Sequence, residues 1–220
     1  MAPNTLLSHV GFIALVCCVV GALNPACAPG GNFDLSPWEL QLPIGHQYFF
    51  TESSDAVLVM KVPGSPDSTG CVTTPNSLHC RTELREINPS SWNPNQATNR
   101  LTVTLAVPEP DDSGHGTVIG QFILMIAFLA NLSTFTYEIR YESNVLSVSI
   151  NNAQPVVFNT FQLDAPSSYF KVGNYNQGDS PSDVHFFAIS VTHATTPDPP
   201  STTFCGNCRS ICASLQHKLP

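Results

Sequence analysis

The strongest constraint in this chain is a two-residue period. Leu101–Val107, Thr134–Tyr141 and Val145–Ile150 alternate apolar and polar side chains, Ala56–Val62 and Val184–Val191 read as further strands, and Pro, Gly, Asn and Asp lie between them. Such alternation marks a half-buried strand, and no stretch shows the spacing of an amphipathic helix. With Glu142-Ser-Asn144 and Asn151-Asn152 as turns, the pattern predicts an all-β jelly-roll sandwich of two antiparallel sheets. A chain of 220 residues holds one such domain with a sizeable core.

Both ends depart from this pattern. Val10–Val20 is an apolar run followed by Gly21 and Ala22, which reads as a secretory signal over residues 1–22. The competing membrane anchor falls short of the ~20 apolar residues a bilayer needs. After His193 a Pro- and Thr-rich linker leads into a tail with three cysteines, so the domain is placed at 23–193 and the linker and tail at 194–220. Six of the eight cysteines follow the signal, in a chain expected to be secreted and extracellular. Cys71 and Cys80 bracket a turn-rich segment and are expected to form a disulfide; the pairing of Cys27, Cys205, Cys208 and Cys212 stays open. Cys205-Gly-Asn-Cys208, Cys212 and His217 make only a weak zinc pattern without a second CxxC, and no metal is expected.

Sixteen acidic residues against eight basic ones give a net charge of -8. That excludes a global attraction to nucleic acid or to an anionic membrane, and leaves an anionic partner only to a local cluster of cations. Two segments offer one. In His79-Cys-Arg81-Thr-Glu83-Leu-Arg85-Glu, strand parity puts His79, Arg81, Glu83 and Arg85 on one face over about 20 Å. The plain alternative is a solvated face with ion pairs two residues apart. In Tyr169-Phe-Lys171-Val-Gly173-Asn-Tyr175-Asn-Gln177, Tyr169, Lys171, Tyr175 and Gln177 share a face, with Gly173 read as open space between them. Aromatic surface beside hydrogen-bond donors suits a sugar. Thr117-Val-Ile-Gly120-Gln121 ends an apolar strand on an amide and means little alone.

Together these segments resemble the alginate-lyase-like polysaccharide lyases of family 7, with signatures Arg-Thr/Ser-Glu-Leu/Val-Arg, Gln-Ile/Val-His and Tyr-x-Lys-x-Gly-x-Tyr-x-Gln. Arg81–Arg85 and Tyr169–Gln177 match in full and in order, and Trp38–Pro43 looks like the family's opening strand. A strand like Arg81–Arg85 also occurs in the related glucuronan lyases. The resemblance spans about Asn32 to His193. It implies a groove that cleaves a uronate polymer, alginate or glucuronan, by β-elimination, without a metal or other cofactor; a monomer is the default expectation. Abstracting the proton α to a carboxylate requires that its charge be neutralised. The carry-over gives that role to Arg81 or Arg85 with Gln121. Tyr175 matches the acid that protonates the leaving oxygen. Lys171 would favour the phenolate of Tyr175, and Lys171, Glu83, Tyr169, Asn174 and Gln177 would bind substrate.

One signature departs. Gln-Ile-His here reads Gln121-Phe-Ile123 and opens Phe122–Ala130, nine apolar residues without alternation. His79 shares the parity of Arg81 and is the candidate substitute for the missing imidazole. Back-translated and read one nucleotide earlier, Phe122–Ala130 permits Ile-His-Pro-Asp-Asp-Ser-Ile-Ser-Gly, which restores the signature and points to a shifted reading frame. The stretch to Phe135 is also shorter than in the family, so the sheet is expected to lack strands there, and the sequon Asn131-Leu-Ser133 falls inside it. Two other readings remain: a non-catalytic carbohydrate-binding jelly roll, favoured by loss of the motif His, and a small cysteine-rich structural protein, favoured only by the tail.

Overall fold

The computed structural model describes residues 32–41, 47–69, 71, 73, 78–93, 98–121, 125–128, 132–142, 145–158 and 168–193. The signal segment, the tail with its cysteines and His217, Cys27, Phe122–Leu124, Asn131 and the tip of the Glu142-Ser-Asn144 loop lie outside the described residues. Among the described residues, twelve strands and one short helix follow in chain order. They are β1 (Trp38–Gln41), β2 (Phe49–Thr51), β3 (Leu58–Val62), α1 (Pro66–Thr69), β4 (Arg81–Glu86), β5 (Thr98–Glu109), β6 (Thr117–Gln121), β7 (Met125–Phe128), β8 (Leu132–Glu142), β9 (Val145–Ile150), β10 (Val156–Phe158), β11 (Lys171–Tyr175) and β12 (Ser182–Thr192). Among the described residues, no helix is long and apolar enough to cross a membrane.

The strands form two sheets, β1-β4-β11-β6-β7 and β10-β9-β8-β5-β12-β3-β2, with antiparallel pairing throughout. The expected jelly-roll sandwich is therefore the observed fold. Period 2 is plainest in the longest strands: Leu101, Val103, Leu105 and Val107 of β5 are buried, as are Phe135, Tyr137, Ile139 and Tyr141 of β8. They meet Leu84, Val172 and Ile119 of the smaller sheet, and Phe170 just ahead of β11, in one core, where each fully buried large apolar side chain contributes roughly 1.5–3 kcal/mol. Asn151 and Asn152 take φ of 50° and 57° to turn β9 into β10, as the sequence suggests; short polar side chains tolerate this region best.

The apolar run after Gln121 does not leave β6 unpaired. Met125–Phe128 form β7 along its free edge, and the register slips between Val118 and Gly120. That irregularity has a consequence for direction. Ile119 packs in the core, while Gln121 stands opposite Lys171. Under strict alternation Ile119 and Gln121 would share a face; a bulge separates them.

Polar side chains tie the sheets together through the core. Thr82 Oγ1 donates to Lys61 O at 2.7 Å, Asn174 Nδ2 to Met60 O at 2.9 Å, and Tyr137 Oη to Ile119 O at 3.0 Å. Each gives a buried donor a carbonyl partner and so avoids the cost of an unmade hydrogen bond.

Candidate active site

The face of the smaller sheet that looks away from the core carries the charged side chains. Cross-strand partners share a face, so the register lays out rows. Glu39, Arg85, Lys171 and Gln121 align across β1, β4, β11 and β6; Gln41, Glu83 and Gly173 form the next row, and Arg81 and Tyr175 the one beyond. Although they point away from the core, Arg81 and Lys171 expose only 9% and 12% of their side chains and Glu83 only 2%. The face is therefore a recess, not a solvated surface.

Glu83 organises it. Its Oε2 lies 3.5 Å from Arg81 Nη1 and 3.3 Å from Lys171 Nζ. The plain expectation of ion pairs two residues apart holds for Arg81 but not for Arg85, whose place at Glu83 is taken by Lys171 across the strand. Arg85 stacks its guanidinium 4.3 Å from the centre of the Tyr169 ring, and its Nε has no hydrogen-bond partner among the described residues. Glu39, opposite Arg85, is exposed.

At the other end Tyr175 sits between two groups. Arg81 Cζ lies 5.2 Å from its ring centre and the His79 ring 5.5 Å, tilted by 59°. His79 lies just ahead of β4 and is fixed by its neighbour. Cys80 is buried and bonded to Cys71 as expected, with Cα atoms 6.1 Å apart, and Asn176 N donates to Cys80 O at 3.0 Å.

The site residues thus fall into two groups. His79, Arg81 and Tyr175 gather at one end, and Tyr169, Arg85, Lys171 and Gln121 at the other, with Glu83 bridging. Lys171 and Tyr175 are four strand residues apart, about 13 Å. Lys171 holds Glu83, and Arg81 lies against the Tyr175 ring.

Three sequence expectations change. Asn174 is fully buried on the core parity, donating to Met60 O and accepting from Ser182 Oγ at 2.8 Å, so it joins the sheets and does not face the recess. Gly173 leaves no open space: a Cβ there would lie 2.6 Å from Glu83 Cα and closer still to Thr82 O, so glycine answers the approach of β4. Gln177 spends its amide within the protein, donating through Nε2 to Gly116 O at 2.6 Å while its backbone N–H meets Asp111 Oδ2 at 2.9 Å. Asp112 beside it accepts from Ser180 N and Asp179 N, which hold its carboxyl below the usual range. Together these bonds pin the exit of β11, and with it Tyr175.

Sequence reasoning missed a second cluster on the core side of β4. Glu86 is fully buried and meets Trp92, Phe170 N and His193. The signal was present: an acid at the parity of Thr82 and Leu84 must find partners. No group of three or more potential metal ligands occurs among the described residues.

A two-sheet sandwich whose smaller sheet bears a recessed row of cations ending at a phenol is the arrangement expected of a lyase acting on an acidic polysaccharide. Residues 33–123 and 129–193 match the family model described as alginate lyase, and the chain belongs to that family, as the resemblance implied. It is a polysaccharide lyase. Solved structures agree on the fold. Alginate lyase AlgAT5 from polysaccharide lyase family 7 is 22% identical over 77% of this chain and 100% of its own, with a TM-score of 0.66. A family 7 alginate lyase variant in complex with the substrate GGMG is 24% identical over 80% and 100%, at 0.65. The alginate lyase from Corynebacterium sp. is 17% identical over 78% and 100%, also at 0.65. No curated protein matches the chain in sequence.

Proposed function

We propose that this chain cleaves alginate by β-elimination, with Tyr175 as proton donor and Arg81 as the cation that neutralises the carboxylate of the reacting sugar. The observation that carries the reading is the grouping of His79, Arg81 and Tyr175 at one end of a recessed face. Arg81 offsets charge that grows as the C5 proton departs. The electron pair of that C–H bond forms the C4–C5 double bond, the C4–O bond breaks, and Tyr175 gives its proton to the leaving oxygen. His79, the imidazole beside Tyr175, takes the C5 proton in place of the histidine that the signature lacks at Ile123. Arg85, Lys171 and Gln121, more than one sugar ring away, hold the carboxylate of a neighbouring uronate. This reassigns Gln121 from neutraliser to subsite residue. That the similar solved structures are alginate lyases supports alginate over glucuronan. Secretion rests on the apolar leader and on the Cys71–Cys80 disulfide.

The test is ultraviolet absorbance of the 4,5-unsaturated product after incubation with alginate and, separately, with glucuronan. Alginate is expected to give the rise; a rise with glucuronan alone would overturn the substrate. The second reading, a binding module without turnover, is favoured by Ile123 and by the break in the family match at 124–128. It predicts retained alginate binding with no rise for either polymer. The same break supports a shifted frame over Phe122–Ala130. Transcript sequence in one unshifted frame from Gln121 to Phe135 would sink that idea.

A further inference from the structure

The recess has two ends, and each is backed by a different kind of tie through the core. Behind Arg81 and Tyr175 the ties are neutral: Thr82 to Lys61 O and Asn174 to Met60 O. Behind Arg85 and Lys171 the tie is a buried carboxylate. Glu86 Oε2 accepts from Trp92 Nε1 at 2.8 Å and from Phe170 N at 3.0 Å, and Oε1 meets His193 Nε2. His193 Nδ1 in turn lies 2.9 Å from Asn99 Oδ1 of β5. The rings of Trp92, Phe170 and His193 pack around the carboxylate, with centroids 4.9 to 6.0 Å apart.

The positions of these partners matter more than their number. Glu86 follows Arg85 directly, and Phe170 lies between Tyr169 and Lys171. Glu86 N also donates to Phe170 O at 3.0 Å, and Trp92 pairs backbone to backbone with Ser168 at 2.9 and 3.0 Å. One side chain therefore fixes the backbone beside three groove residues that project from the opposite face. Through His193 and Asn99 it anchors that backbone to the larger sheet. A carboxylate is an expensive way to fill a core, since it must be fully hydrogen-bonded to be tolerated; a larger apolar residue would fill the space without directing anything.

We propose that Glu86 and His193 are positioning residues that set Arg85 against Tyr169 and so shape the neighbouring-uronate subsite. The inference rests on the proposed function for its catalytic consequence, but not for its structural one. Two measurements separate them. The first needs no substrate: the Nε–H cross-peak of Arg85, assigned by its loss in Arg85→Ala, is followed by nitrogen-15 NMR in the full chain. His193→Gln, which leaves Glu86 its Trp92 and Phe170 bonds, is expected to shift the Arg85 peak and leave that of Arg81 in place. An unmoved Arg85 peak, or equal movement of both, would overturn the proposal. The second uses alginate turnover. Glu86→Gln is expected to raise KM about tenfold while kcat stays within about threefold. A residue that acts through Arg85 loses its effect when Arg85 is absent. The rise is therefore expected to vanish in the Arg85→Ala background and to persist in the Arg81→Lys background. Equal losses in both backgrounds would reduce Glu86 to a generic core residue. If the wild-type chain releases no unsaturated product, the proposed function fails and the peak shifts still decide this inference.

Discussion

The recess on the smaller sheet and the outer face of the larger sheet are built from the same kinds of residue, Arg and Glu on alternating strand positions, yet their charges are arranged differently. On the outer face Arg100 and Arg140 stand opposite each other on β5 and β8. Glu138 and Glu142 each contact both, at 2.7 to 3.6 Å, with side chains 22% to 36% exposed. Two cations and two carboxylates close on themselves in reach of water. In the recess, Arg81 and Lys171 converge on the single buried carboxylate of Glu83, and Arg85 is left to an aromatic ring. Salt bridges in water contribute little and attract nothing further. Surplus positive charge held away from water is what an acidic polymer can neutralise. A chain with net charge -8 can hold such a polymer because the surplus is local.

The comparison can be broken most directly at Tyr175. Tyr175→Phe is expected to lower kcat by about 10²- to 10⁴-fold while binding of alginate, followed by calorimetry, survives. Retained turnover would remove the phenol from the chemistry. Next come the arginines. Arg81→Ala should cost about 10²- to 10³-fold in kcat, the usual loss when one charge-stabilising group is removed. Arg100→Ala on the outer face should leave turnover unchanged and shift stability by no more than about 1 kcal/mol. Similar losses at both sites would erase the distinction between the faces. Gly173→Ala probes the floor of the recess. It forces a methyl against β4 and is expected to destabilise by about 1–3 kcal/mol, read as a lower Tm.

The smallest effect concerns Asp183, between Lys61 and His185 at 3.0 and 3.3 Å. Burial raises its pKa, but the bonds to His185 and Lys61 outweigh this and hold it below the usual carboxylate value. Its contribution is thus present above the unfolded carboxylate range and lost as pH falls through the folded value. Stability of Asp183→Asn, measured by denaturant titration, is expected to fall less than wild type across that acid window. Parallel curves would show that the pair is neutral to stability.

Much of this was legible because period 2 is a local property. β5 and β8 follow from alternation alone, and the parity of Arg81, Glu83 and Arg85 holds in three dimensions. Partnership was not legible, because it joins residues far apart in the chain. Nothing in the sequence says that Glu83 would choose Lys171 over Arg85, or that the backbone of β4 comes so close to Gly173. Asn174 could have been placed by parity, since it lies out of phase with Lys171 and Tyr175; resemblance alone assigned it to substrate. Gln121 is the opposite case: parity fails across the slip at Val118–Gly120, so counting residues cannot say where it faces.

That slip has a companion in the larger sheet. A side chain at Gly120 would occupy the space of the Tyr137 phenol, and the phenol uses that space to reach Ile119 O. Burial pushes the Tyr137 pKa above its ordinary value, which favours the protonated hydroxyl as donor. Positions 120 and 137 are therefore coupled in volume: a larger residue at 120 fits only if the side chain at 137 is cut back, whereas a smaller residue at 137 costs the bond to Ile119 O and leaves room that Gly120 cannot fill.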